Sequence, residues 1–172
     1  MAASPDLAEP TVSEPATAVT TLRVFRAGGV DLAAIRGALG HPAWLGEPVI
    51  RDDTPPGMTT FLTDLVLPLP PDGRLLSLRK AAYVELGVAL DRADGLEVEI
   101  GWRSASLAPL FPVFAGRLAA RAGGLSIEGH YAPPGGRLGL AADRALLSVA
   151  ARGTARWFLN HLAAQARTIA GA

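Results

Sequence analysis

Any chemistry in this chain must come from a few scattered polar side chains. The histidines are His41, His130 and His161. None has a second metal ligand three or four residues away, the spacing that sets two side chains on one helix face. Only His130 has a partner at strand spacing, Glu128 two residues before it. On one strand face such a pair can bind a metal ion or relay a proton; on an outward face it is simply solvated. Ser104 and Ser106 have no adjacent base and no G-x-S-x-G turn around them. The chain has no cysteine, so disulfides and thiolate metal sites are excluded. Gly135, Gly136 and Gly139 precede a helical pattern, but not with G-x-G-x-x-G spacing and not within a parallel β-α-β unit. They read as a turn. No cofactor and no metal are expected.

Lys80 is the only lysine. It shares strand parity with Leu76, Leu78, Ala82, Val84 and Leu86. If that face is inward, the ammonium needs a partner, because an unpaired buried charge is costly. It would then anchor a carboxylate ligand or pair with Glu99 or Glu128. If the strand bends, Lys80 reaches solvent and Tyr83 lies inside instead. Arg103, Tyr131 and Lys80 are the groups able to polarise a carbonyl in a dry pocket. An enzyme of that kind requires at least two of them to converge.

These residues must be positioned by a fold, and the patterning defines one. The first residues, MAASPDLAEPTVSEPATA, have no apolar core stretch, so 1–18 read as a disordered tail with neither signal peptide nor membrane helix. Ala18 to Arg26 is β-branched and alternating, a strand. Asp31 then caps a short helix, Leu32 to Leu39. Ala43 to Gly46 forms a second short helical turn, and the proline-rich stretch 47–57 is loop. Strands follow at Thr59 to Leu67, Leu75 to Leu86, Leu96 to Arg103, Leu110 to Arg121 and Leu125 to Tyr131. The turn between the first two of these holds Pro68, Pro70, Pro71, Asp72 and Gly73; Asp91 to Gly95 is another turn, and Gly123-Gly124 marks a hairpin. A long helix runs from Leu138 to Ile169, with an apolar seam through Leu147, Ala151, Thr154, Phe158 and Leu162. Arg144, Ser148, Arg152, Arg156 and Asn160 form a polar stripe beside it. The expected fold class is α+β: a curved antiparallel sheet of about six or seven strands around a long C-terminal helix, with two short helices after the first strand.

Net charge is zero, which gives no general attraction to nucleic acid or anionic membrane. The charges are nevertheless segregated. Residues 1–100 carry 8 basic and 14 acidic side chains, and residues 101–172 carry 8 basic and 2 acidic. The positive half is either the solvated face of the last helix or a surface for an acidic partner. A cytoplasmic protein without a stable membrane anchor and without nucleic acid is expected; its oligomeric state is not encoded in any pattern.

This element order resembles the START-like, or helix-grip, superfamily, whose members include polyketide cyclase/dehydratase-like and lipid-transfer proteins. The stretch FPVFAGRLAARAGGLSIEGHYAPPGGRLGLAADRALL, followed by ARGTARWFLNHLA, is similar to the end of small bacterial members. The resemblance covers residues 19–170, as a single domain. It implies an apolar cavity between the long helix and the concave sheet, and a small lipophilic molecule as partner. A shared fold does not by itself carry a shared activity.

Alternation selects the side chains that would face such a cavity. They are Phe61, Leu65 and Lys80, then Val98, Ile100 and Trp102, then Phe111 and Val113, then Ile127 and Tyr131, with Trp157, Phe158 and Leu162 from the helix. The plain alternative is that they all make core. His41-Pro42-Ala43-Trp44 puts an aromatic ring either near the cavity mouth or in ordinary packing. Three functions compete: a non-catalytic binder of a hydrophobic or amphipathic molecule, which the lack of a catalytic signature favours; a cyclase or dehydratase-type enzyme acting on a polyketide-like substrate; and a partner-binding module using the arginine-rich helix face.

Overall fold

A computed structural model describes residues 20–69, 76–105, 113–132 and 143–171. Among the described residues, eight strands form one sheet. They are β1 (Thr20–Ala27), β2 (Pro48–Val49), β3 (Met58–Leu69), β4 (Leu76–Gly87), β5 (Leu90–Arg92), β6 (Gly95–Ser104), β7 (Val113–Arg121) and β8 (Gly124–Ala132). The helices are α1 (Leu32–Gly40) and α2 (Asp143–Ala170), with a single 3-10 turn at Ala43–Leu45. The strand order is β1-β8-β7-β6-β4-β3-β2, with β5 paired to β6 and every pairing antiparallel. The first strand therefore lies beside the last.

The sheet is larger than the sequence pattern indicates. The two additional strands, β2 and β5, span only 2 and 3 residues. Such pieces are set by pairing to β3 and β6, and no alternation can announce them. Pro68 lies within β3 rather than in a turn. Since β2 reaches only Phe61 and Thr60 of β3, the far half of β3 is a sheet edge among the described residues. A proline is tolerated there because no further described strand needs its missing N–H.

Local signals explain the helices. Asp31 caps α1: its Oδ1 accepts from Ala33 N at 2.9 Å and Ala34 N at 3.1 Å. Helix α2 is 28 residues, about 42 Å. Its seam of Ala151, Thr154, Ala155, Phe158, Leu159 and Leu162 is fully buried. The expected start at Leu138 and the residues 1–18 lie outside the described residues.

One face of the sheet meets α2. Leu96, Val98, Ile100 and Trp102 of β6 are buried, as are Leu125, Ile127 and Tyr131 of β8, so the alternation of these strands holds. In β7 the parity is the reverse of the expected one. Phe114, Leu118 and Ala120 are buried, whereas Val113 is 51% exposed. The run preceding Phe114 is apolar at consecutive positions, so alternation cannot fix its phase there. Phe111 lies outside the described residues.

Phe114 also explains two glycines. Its ring stacks on Trp102 at 4.0 Å between centroids, 20° between planes. A Cβ on Gly116 or Gly129 would lie 2.7 or 2.8 Å from Phe114 Cζ and closer still to backbone of the neighbouring strand. The pair of glycines leaves the space that the flat ring occupies. Replacing Gly129 with Val should therefore cost about 3 kcal/mol of stability through overpacking. An unchanged urea midpoint would contradict this reading.

Candidate functional site

The expected cavity residues fall into distinct places. Leu65, Val98, Ile100, Trp102, Ile127, Tyr131, Phe158 and Leu162 are buried in one continuous hydrophobic cluster with Phe61. They are brought together, and they pack on one another. Trp157 is half-buried on the flank of α2, stacked on His161 at 4.8 Å. Val113 is on the opposite face of the sheet.

Lys80 keeps the inner parity of β4. It stands opposite the buried Leu65 and is half-buried. No ion pair or hydrogen bond to its side chain occurs among the described residues. Glu99 and Glu128 lie on the outer face and cannot serve it. Tyr83 also faces outward, beneath Arg51 at 4.2 Å from its ring centroid. Arg103 likewise points outward, whereas Tyr131 and Lys80 point inward. Strands β7 and β6 separate Tyr131 from Lys80, and Tyr131 is in register with Val84, further along β4. The three groups that could polarise a carbonyl do not converge.

Arg103 instead organises a polar cluster on the outer face. Its Nη1 donates to Asp53 Oδ2 at 2.5 Å, and its Nη2 lies 2.9 Å from Glu85 Oε1. Arg51 donates to both Asp53 oxygens, at 2.9 and 3.1 Å. Each charge meets an opposite one, so the cluster ties the segment after β2 across β3, β4 and β6. It leaves no free base for catalysis. Hydrogen bonds from Arg103 and then Arg51 hold the Asp53 carboxyl well below the ordinary carboxylate range. A hydrogen bond from Arg121 lowers the Asp94 carboxyl, and one from Arg92 lowers that of Glu97.

Two larger concavities open on opposite sides of the sheet. The outer one, about 670 Å³, has a floor of Gly101 and Ala115 between walls that include Glu85, Glu99, Arg117 and His130. Small residues make the trough, and its walls are charged. Glu128 and His130 are both exposed here, and no group of three or more metal-ligating side chains that could hold an ion occurs among the described residues.

The inner concavity, about 770 Å³, is of another character. It opens where the end of α1 and the 3-10 turn fail to close over the ends of β3 and β4. Leu39, Pro42, Phe61, Leu86 and Val88 give it apolar walls, while Arg36, His41 and Glu47 supply polar groups. Among the described residues, Phe61 is the only one of the expected cavity set in its lining. The sequence H-P-A-W marked this region: Pro42 and Ala43 do border the space. Trp44 turns away, donating Nε1 to Ala38 O at 2.8 Å and meeting Phe158 edge-on at 5.2 Å. Leu86 and Val88 carried no signal, since they read simply as the end of a strand. Arg36 is already engaged, in an ion pair with Asp91.

No described helix is long and apolar enough to cross a membrane. Comparison of the chain with family models and with curated proteins gives no match.

The outer cluster has a direct pH consequence. Because Asp53 titrates lower when folded than when unfolded, it stabilises the fold above the ordinary carboxylate pKa. That stabilisation is lost as pH falls through the folded value. Asp94 and Glu97 act in the same sense. The urea midpoint should fall from about pH 5 downward, and Asp53→Asn should make that fall shallower. A pH profile identical in the variant would contradict the assignment.

Proposed function

We propose that this chain is a non-catalytic binder of a small lipophilic or amphipathic molecule, built on the START-like, helix-grip plan. The strand order supports the plan: β1 closes beside β8, two short helical elements follow β1, and α2 packs on the inner face. The observation that carries the function is the apolar concavity beside Phe61 and Leu86. Its volume of about 770 Å³ lies within the roughly 300–1,000 Å³ usual for small-molecule sites. It belongs to the inner side of the sheet, beneath α1. The space beneath the described part of α2 is occupied by core side chains.

A ligand there would bury its apolar portion on Phe61, Leu86 and Pro42. Its polar end would face water near His41 and Glu47. Nothing in this arrangement supplies a nucleophile or an oriented acid–base pair. The enzyme reading loses its support, because Arg103 is on the other face and Lys80 and Tyr131 are strands apart.

Val88 allows a test that spares the core, since it borders the concavity and is 72% exposed. An environment-sensitive dye, 8-anilinonaphthalene-1-sulfonate, should bind the folded protein saturably with one site. Val88→Trp should fill the space and weaken binding by about tenfold or more. Phe25→Trp, at an exposed position on β1 at the other edge of the sheet, should leave it unchanged. Equal affinity in the Val88 variant would overturn the proposed location.

A further inference from the structure

The inner concavity has a mouth whose chemistry selects the head of its ligand. Its walls are apolar, and among the described residues the titratable side chains of the lining are Arg36, His41 and Glu47. Arg36 is neutralised by its ion pair with Asp91. His41, as a neutral imidazole, offers one donor and one acceptor. That leaves Glu47, the one acidic side chain of the described lining. It is exposed, with no ion pair or hydrogen bond to its carboxylate among the described residues. Its position sets it apart from other carboxylates without a cation. Asp31 is engaged in capping α1, and Glu99 borders the outer trough.

The backbone adds to the same field. Helix α1 ends at the concavity, with Leu39 and Gly40 in the lining. A helix C-terminus carries roughly half a negative charge, on carbonyls that have no donor within the helix. No basic residue lies in the last turn of α1 to offset it. Gly37 O accepts from His41 N at 3.0 Å, and Ala38 O from Trp44 Nε1 at 2.8 Å. Leu39 O and Gly40 O receive no such bond among the described residues. The mouth is therefore rich in acceptors and negative in sign, and its one arginine is already spent.

We propose that the ligand of this concavity is a lipophilic amine, held in its ammonium form by Glu47 and the carbonyl end of α1. The inference rests on the binding function proposed above and narrows it to one class of molecule. An ammonium head has donors and no acceptor, which matches an acceptor-rich mouth. Its apolar tail rests on Phe61, Leu86 and Val88. A fatty carboxylate has the wrong sign, since its head would sit beside Glu47 and the negative helix end. Through water, a single carboxylate about 6 Å away favours a cation over an anion by about tenfold. The helix end acts in the same direction.

The test compares different heads on one tail. Octylammonium, 1-octanol and octanoate compete for the full chain with N-phenyl-1-naphthylamine, the uncharged parent of the sulfonate dye used above. At about pH 8 the amine and the acid are both charged, and about 0.02 M salt keeps screening low. Octylammonium should displace the probe at a concentration about tenfold or more below that of octanoate, with 1-octanol between them. Glu47→Gln, at an exposed position, should narrow that ratio to about threefold and leave 1-octanol unchanged. The sulfonate dye should bind more weakly than its uncharged parent, by a margin that also shrinks in Glu47→Gln. Octanoate competing as well as octylammonium, or a ratio untouched by Glu47→Gln, overturns the amine assignment and leaves the binding site standing. If the uncharged probe does not bind saturably, or if Val88→Trp leaves all these competitors unaffected, the site fails and the inference falls with it.

Discussion

The burial of the α2 seam against the inner face of the sheet is the constraint from which the rest follows. Ala151, Ala155, Phe158 and Leu162 have no appreciable exposure. Alanines at the first two positions let the helix lie close, and Phe158 and Leu162 fill the space further along. A sheet that receives a helix in this way must present one apolar face, and one-residue slips are forbidden because they would reverse every side chain. Val98, Ile100, Leu118, Leu125 and Ile127 keep that face. The Trp102–Phe114 stack, lying over Gly116 and Gly129, continues it toward Tyr131. Trp44 then locks α1 to α2 through Phe158.

The inner concavity is what this packing leaves over. Helix α1 has 9 residues and ends at Gly40, where His41-Pro42 turns the chain. It is too short to cover β3 and β4 to their ends. Phe61 and Leu86 are buried, yet they border open space rather than another layer of side chains. The open space thus lies at the flank of the sheet, beside α1, instead of beneath the described part of the long helix.

Much of this was legible in the residues, for physical reasons. Period-two alternation is unambiguous in Leu96 to Arg103 and Leu125 to Tyr131, and both strands bury the expected side. The helical seam was legible at Ala151, Phe158 and Leu162; Ile169 is partly exposed because it lies in the last turn. Consecutive apolar residues around Phe114 hid the phase of β7. Lys80 kept its inner parity without the carboxylates proposed for it, since Glu99 and Glu128 alternate outward. Arg103 looked like a pocket residue, but its partner Asp53 lies 50 residues earlier, in a proline-rich stretch without periodicity. The concavity itself arises from where helices and strands stop. That is a property of element lengths in three dimensions, and no local pattern encodes it.

The central claim is that the open inner flank of the sheet, and not its charged outer face, takes the small molecule. Intermolecular nuclear Overhauser effects between isotope-labelled protein and an unlabelled lipophilic probe test it directly. Contacts should connect the probe to the side chains of Phe61, Leu86 and Val88. Contacts confined to the outer trough around Ala115 and Arg117, or the absence of any site with defined contacts, would contradict the account.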